Sequence, residues 1–278
     1  MDYFSTRGAT EGISSAEAIL MGLASDGGLF VPASFPQMTL SEIEALVPLS
    51  YEERAVRILR RYLTDYTEEE LKGCVSRAYG QTFDDVRRAP VRAVGDLAVL
   101  ELWHGPTSAF KDMALQLLPQ LMSTARVKEG ERDTILILVA TSGDTGKAAL
   151  EGFADAEGIR IMVFYPDGGV SPVQRLQMVT QAGENVAVVA VRGNFDDAQR
   201  GVKEIFGDAA MVQELAALHT KLSSANSINW GRLVPQIVYY FSAYADLLAE
   251  KKIATGDAVN FTVPTGNFGN ILAGYYAK

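Results

Sequence analysis

Lys111 ends the run His104-Gly105-Pro106-Thr107-Ser108-Ala109-Phe110-Lys111, and Asp112 follows it. The apolar spacing that continues from it predicts a helix over 109–121. A helix start carries partial positive charge, which disfavours an ammonium and favours a carboxylate such as Asp112. An amine there, behind a turn of Gly, Pro, Thr and Ser, suits a group that is neutral part of the time and attacks a carbonyl. That is what Schiff-base chemistry asks of a lysine. The competing reading is an N-capped helix whose lysine reaches solvent, as most lysines do.

Three further motifs could hold anions. Ala140-Thr141-Ser142-Gly143-Asp144-Thr145-Gly146 lies between an apolar strand and a helix, where N–H groups and hydroxyls converge on one small volume. Asp144 is awkward in such a place and reads equally as a helix cap. Pro264-Thr265-Gly266-Asn267-Phe268-Gly269-Asn270 is a second strand–turn–helix corner, either a monophosphate cradle or a tight turn that needs positive φ. Ser224 to Arg232 is dense in neutral donors and ends in a guanidinium suited to a phosphate dianion, or else is a polar loop capping the next helix. Neither glycine turn fits a nucleotide fingerprint. Gly143 and Gly146 are too close together for a P-loop, and the second corner lacks the first glycine pair of a dinucleotide site.

Other features read as structural. Tyr239, Tyr240, Phe241 and Tyr244 recur at helical spacing, as core or interface residues do. Glu68, Glu69 and Glu70 form a solvated first turn, and Cys74 is a small apolar filler. His104 is either a half-buried hydrogen-bonded residue or an orienter of ligand. With one cysteine and two distant histidines, a zinc site is not expected.

The elements that position these residues follow from periodicity. Up to about residue 90 the pattern is mostly helical, with capping signals at Ser14, at Ser41 with Glu44, and at Thr67, and an amphipathic helix over 51–63. From there, β-branched runs alternate with helices. Strands are expected at 97–102, 134–140, 160–165, 186–191 and 260–263. Helices are expected at 146–155, 173–182, 196–206, 233–251 and from Ile271. Apolar strands alternating with helices mean parallel sheet covered on both faces. The 278 residues, 48% of them hydrophobic, suffice for one large or two ordinary domains. The net charge of −9 argues against a nucleic-acid or anionic-membrane surface, and the amino terminus lacks a signal peptide. The expectation is a soluble, cytoplasmic protein. The last eight residues read as an opening helix without a stop signal, so a large domain cut short is also expected.

Taken together, these motifs resemble threonine synthase, of the tryptophan-synthase-β fold type. The resemblance rests on Tyr3-Phe4-Ser5-Thr6-Arg7-Gly8, on the stretch from Gly22 through Asp26-Gly27-Gly28-Leu29 to Pro32, on the lysine turn, and on Thr141 to Gly146. It continues through Asn226-Ser227-Ile228-Asn229 with Arg232 and the Gly266 to Asn270 turn, in family order along the whole chain. It implies pyridoxal-phosphate fold type II, with two parallel-sheet three-layer domains after a small helical one. The helical domain would be 1–90. The large cofactor domain would be 91–130 with 225–278, incomplete at its C-terminal side, and a small mobile α/β domain 131–224. Lys111 would carry pyridoxal 5′-phosphate and move protons, and Gly266, Asn267, Phe268, Gly269 and Asn270 would seat the cofactor phosphate. Thr141, Ser142, Gly143 and Thr145 would hold the substrate α-carboxylate, and Asn226, Ser227 and Arg232 the substrate phosphate. The implied substrate is O-phospho-L-homoserine, converted with water to L-threonine and phosphate, in a monomer or homodimer. The rivals are a phospholyase similar to threonine synthase, another β-eliminating lyase of the fold type, or an inactive oligomerisation module.

Overall fold

The structure is a computed structural model that describes residues 1–8 and 11–278. Short antiparallel strands β1 (Tyr3–Ser5) and β2 (Phe30–Pro32) bracket helix α1 (Ser15–Met21). Helices α2 (Leu40–Glu44), α3 (Tyr51–Tyr62) and α4 (Glu68–Tyr79) follow, each opened by a reciprocal capping box. The box on α2 is Thr39 with Glu42, two residues upstream of the expected Ser41, because Thr39 is the residue in extended conformation where a cap is needed.

Strands β3 (Val91–Val94) and β4 (Leu97–Leu100) form an isolated antiparallel hairpin. The expected strand at 97–102 is therefore outside the parallel sheet. The two-residue turn Gly95-Asp96, with Gly95 at φ +58°, returns the chain on itself at once. The single helix expected over 109–121 is two, α5 (Asp112–Leu115) and α6 (Leu118–Lys128). Pro119 lies in the first turn of α6, where its missing N–H does no harm, and the helix restarts there.

The parallel sheet is built from β5 (Thr134–Ala140), β6 (Ile159–Pro166), β7 (Val186–Val191) and β8 (Thr220–Ser223), in the order β7-β6-β5-β8. Its crossovers are α7 (Asp144–Phe153), α8 (Pro172–Val179), and α9 (Phe195–Gly207) with α10 (Ala209–Ala217). The pair α10 and β8 has no counterpart in the sequence reading. Strand order reverses at β5: the chain leaves β5 toward β6 on one side and returns as β8 on the other. Ligands of open α/β sheets bind at such a switch point, beyond the carboxyl ends of the strands.

Helices α11 (Trp230–Ala249) and α12 (Gly269–Ala277) complete the chain. Residues 260–263 form no strand, since among the described residues no partner strand lies beside them, and the only parallel sheet is the four-stranded one. Tyr240 donates its hydroxyl to the Asn270 carbonyl at 2.8 Å, and Tyr62 donates to the Tyr276 carbonyl at 3.3 Å, so both ends of α12 are tied to neighbouring helices. Arg54 is buried in α3. It donates to the carbonyls of Leu46 and Val47 and to Ser242 and Asp246 of α11, joining the N-terminal helices to the long one. One continuous core runs from Tyr3 and Ile58 through Met113 and Trp230 to Phe153 under the sheet.

Candidate active site

Lys111 immediately precedes α5 in helical conformation. The turn before it is locked by Asp112, whose buried carboxylate accepts from the Thr107 N–H at 2.9 Å and the Thr107 hydroxyl at 2.6 Å. Burial raises the Asp112 pKa, and the Thr107 bonds oppose it. Lys111 thus projects from a rigid frame. Its Nζ lies 3.5 Å from Asp144 Oδ2 and 4.5 Å from the centroid of the Phe110 ring, with 19% of the side chain exposed. Burial pulls its pKa below the ordinary lysine value and nearby Arg232 adds to this, while Asp144 opposes it. The amine is neutral at a lower pH than a surface lysine would be.

The β5–α7 turn divides its residues between building and exposure. Thr141 Oγ1 accepts from the N–H groups of Gly143 at 3.0 Å and Gly146 at 2.9 Å and donates to the Gly143 carbonyl, so it is used within the turn. Gly143 has φ +149°, which strains any other residue, and a Cβ there would fall 2.5 Å from the Gln174 side-chain amide and push it aside. Ser142 and Thr145 face an open cleft. Asp144 is the first residue of α7 and not its N-cap. Its Oδ1 accepts from Gln174 Nε2 at 2.6 Å.

Arg232 sits one turn into α11, 3% exposed. Nη1 donates to the Ala225 carbonyl at 3.2 Å, Nε has no acceptor, and among the described residues no carboxylate pairs with it. Burial lowers its pKa to about 10. A buried guanidinium without a counter-ion is costly, and this one faces the cleft, where an anion would complete it. Ser227 also faces the cleft, whereas Asn226 does not: its carbonyl accepts from the Asn229 N–H. Asn229 is fully buried and ties the loop to Ile19 and Ser224, which makes it a brace.

The fourth wall is the start of α12, where Phe268 supplies no side-chain cap and Asn270 Oδ1 accepts only from the Ile271 N–H, at 3.0 Å. Gly266, Asn267, Gly269 and Asn270 border the cleft, and Phe268 points out, 71% exposed. An uncapped helix start with free N–H groups attracts anions.

These walls enclose about 280 Å³ at the carboxyl ends of β5 and β8, the switch point of the sheet. A larger groove, about 810 Å³, lies between α3 and α4, but its charged groups satisfy one another, as in Arg60 and Lys72 with Glu68. The smaller cleft holds the desolvated Lys111 amine and the Arg232 guanidinium, and chemistry favours it over size. His104 lies outside the cleft lining, between Asp84 and Glu101. Sequence reasoning missed Gln174 and Gln236. The first sits in the capping box Ser171-Pro172-Val173-Gln174, a readable helix start. The second is an isolated polar residue in an apolar helix run, which was the available signal.

Residues 86–277 match the family model described as pyridoxal-phosphate dependent enzyme, and residues 2–79 match the one described as threonine synthase N terminus. Threonine synthase of Pseudomonas aeruginosa is 45% identical over 280 aligned residues, covering 100% of this chain and 57% of that protein. Human threonine synthase-like 1 is 45% identical, covering 95% of this chain and 36% of that protein. The crystal structure of PLP-bound threonine synthase from Brucella melitensis superposes with a TM-score of 0.88 at 43% identity, covering 100% of this chain and 57% of that one. The chain therefore spans little more than half the length of the bacterial proteins it matches. The matched region takes in every wall of the cleft, and on that extent of agreement the chain belongs to the pyridoxal-phosphate dependent enzyme family.

Proposed function

We propose that the protein to which this chain belongs is a threonine synthase, a carbon–oxygen lyase that converts O-phospho-L-homoserine and water to L-threonine and phosphate. The observation that carries this reading is the convergence of a desolvated amine with two separate anion seats, Arg232 and the start of α12, in one cleft. An aldehyde that also bears a phosphate needs such an amine and such a helix start, so the residues present fit pyridoxal 5′-phosphate. Lys111 would hold its aldehyde carbon, and Gly266, Asn267, Gly269 and Asn270, with the Phe268 backbone, would take its phosphate. Once bound, the cofactor supplies an electron sink for the pair left when a bond at the substrate Cα breaks.

The chain's own residues do the rest. Ser142 and Thr145 take the substrate α-carboxylate at the start of α7, on a turn that Thr141 and Gly143 build. Arg232 and Ser227 take the substrate phosphate on a loop that Asn226 frames, and the guanidinium gains the anion it lacks. Held at both ends, the substrate presents its Cα–H to the Lys111 Nζ, which removes that proton and returns protons further along the chain. Phosphate leaves from Cγ, and water adds at Cβ. We assign residues 1–90 to a helical domain, 91–130 with 225–278 to the cofactor domain, and 131–224 to a smaller domain that closes over the cleft and keeps water out. No helix among the described residues is long and apolar enough to cross a membrane. We place the protein in the cytoplasm, as a monomer or homodimer that engages a small-molecule substrate and no nucleic acid.

The test has two readings. Borohydride reduction of the full-length protein with pyridoxal phosphate, followed by peptide mapping, is expected to mark Lys111, and an adduct elsewhere or nowhere sinks the proposal. The full-length protein given O-phospho-L-homoserine is expected to release phosphate and threonine. The rival phospholyase reading would instead give a keto acid and ammonia as products.

A further inference from the structure

Asp144 has no role in the scheme above, yet among the described residues it is the cleft carboxylate that reaches the amine. Its two oxygens are divided between two elements: Oδ2 faces Lys111 Nζ at 3.5 Å and Oδ1 accepts from Gln174 Nε2 at 2.6 Å. Gln174 is itself fixed, because Ser171 and Gln174 close the capping box of α8. The Gln174 amide also fills the space a side chain at Gly143 would need, so the brace is built into the turn. The carboxylate is 49% exposed and sits at a helix start that favours negative charge.

We propose that Asp144, braced by Gln174, is a positioning residue that acts as the counter-ion of Lys111 and retains the proton on its amine. This deepens the reading of Lys111 as the reactive amine and rests on it. The charged groups facing Lys111 are few: Asp144 from α7, Arg232 from α11 and Asp112 from its own helix. Gln174 of α8 is neutral, and the 264–270 segment carries no charged residue. Arg232 disfavours the ammonium, and Asp112 is turned toward Thr107. Asp144 is left as the group that stabilises the charged form by direct contact. When its hold is lost, the proton passes to solvent and the amine becomes nucleophilic.

The test measures the proton directly. The purified chain is labelled by competitive acetylation with acetic anhydride from pH 6 to 11, and the extent at each lysine is read by mass spectrometry. Asp144→Asn is expected to lower the Lys111 midpoint by about half a pH unit, the size appropriate to a half-exposed pair. Gln174→Leu, which leaves Asp144 unbraced, is expected to shift it less in the same direction. Far-ultraviolet circular dichroism and thermal melts establish that both variants are folded. A Lys111 midpoint that is unchanged or raised in folded Asp144→Asn overturns the proposal. That failure is separable from failure of the functional reading, because the borohydride map reports where the cofactor attaches and the acetylation reports only the ion pair.

Discussion

Arg232 is the side chain in the cleft whose presence folding alone does least to justify. It is buried, its Nε is unpartnered, and among the described residues no carboxylate forms an ion pair with it. Replacing a buried charge by an apolar residue of similar volume is commonly neutral or stabilising. Arg232→Met is therefore expected to melt at the same temperature as the parent or higher. Inorganic phosphate is expected to raise the parent melting temperature more than the variant's, which keeps only the seat at the start of α12. A variant that melts several degrees lower contradicts this account. His104 is a different case. Both its ring nitrogens face carboxylates, Asp84 at 2.7 Å and Glu101 at 2.9 Å, so these contacts favour the protonated ring, which donates from both. Burial lowers its pKa, the bonds to Glu101 and Asp84 outweigh that, and the result lies above the ordinary histidine value. A raised folded-state pKa stabilises fully below the unfolded value near 6.5 and is lost as pH climbs through the folded one. His104→Ala is thus expected to cost more stability at pH 5.5 than at pH 9, as read from urea midpoints. Lys111 and Arg232 were legible because their chemistry is odd for their place in the chain. Gln174 was not, because only folding carries it from α8 to Asp144.

At the scale of elements, the helices were easier to read than the strands. Thr67, Ser14 and the face of α3 announce themselves through local capping and spacing. A strand's neighbours are not local, so β4 read as part of a βα alternation and β3 was not read at all, although Gly95-Asp96 already carries a hairpin signal. Pro119 likewise marks the break between α5 and α6, and apolar periodicity concealed it. The packing of α7 on α5 depends on one absent side chain. A Cβ at Gly152 would stand 2.0 Å from the Leu115 carbonyl oxygen, a backbone atom that cannot rotate away. Gly152→Ala is expected to destabilise the chain by about 2 kcal/mol through this overpacking. It is also expected to weaken the Lys111 contact with Asp144, because α7 carries that aspartate. A melt unchanged from the parent would show that the helices have room to spare.

Across the molecule, Arg54 unites parts that the sequence leaves unrelated. It satisfies two carbonyls of the α2–α3 connection and reaches Ser242 and Asp246 almost two hundred positions away. Arg54→Ala would strip the guanidinium from the Val47 carbonyl and from a largely buried aspartate, and is expected to cost about 3 kcal/mol, measured by urea denaturation. The fold class was legible from the alternation of elements. The extended segment at 260–263 was not placed correctly, since a strand needs a neighbour and none lies beside it here. The mooring of α12 by Tyr240 and Tyr62 has a mechanical consequence. Were the proposed small domain to shift, the start of α12 would hold its place on the long helix, whereas α5, packed on α7 as well as on α11, would carry the movement of Ser142 and Thr145 to the Lys111 frame. The anchoring end of a substrate would keep its grip while the reacting end is drawn in.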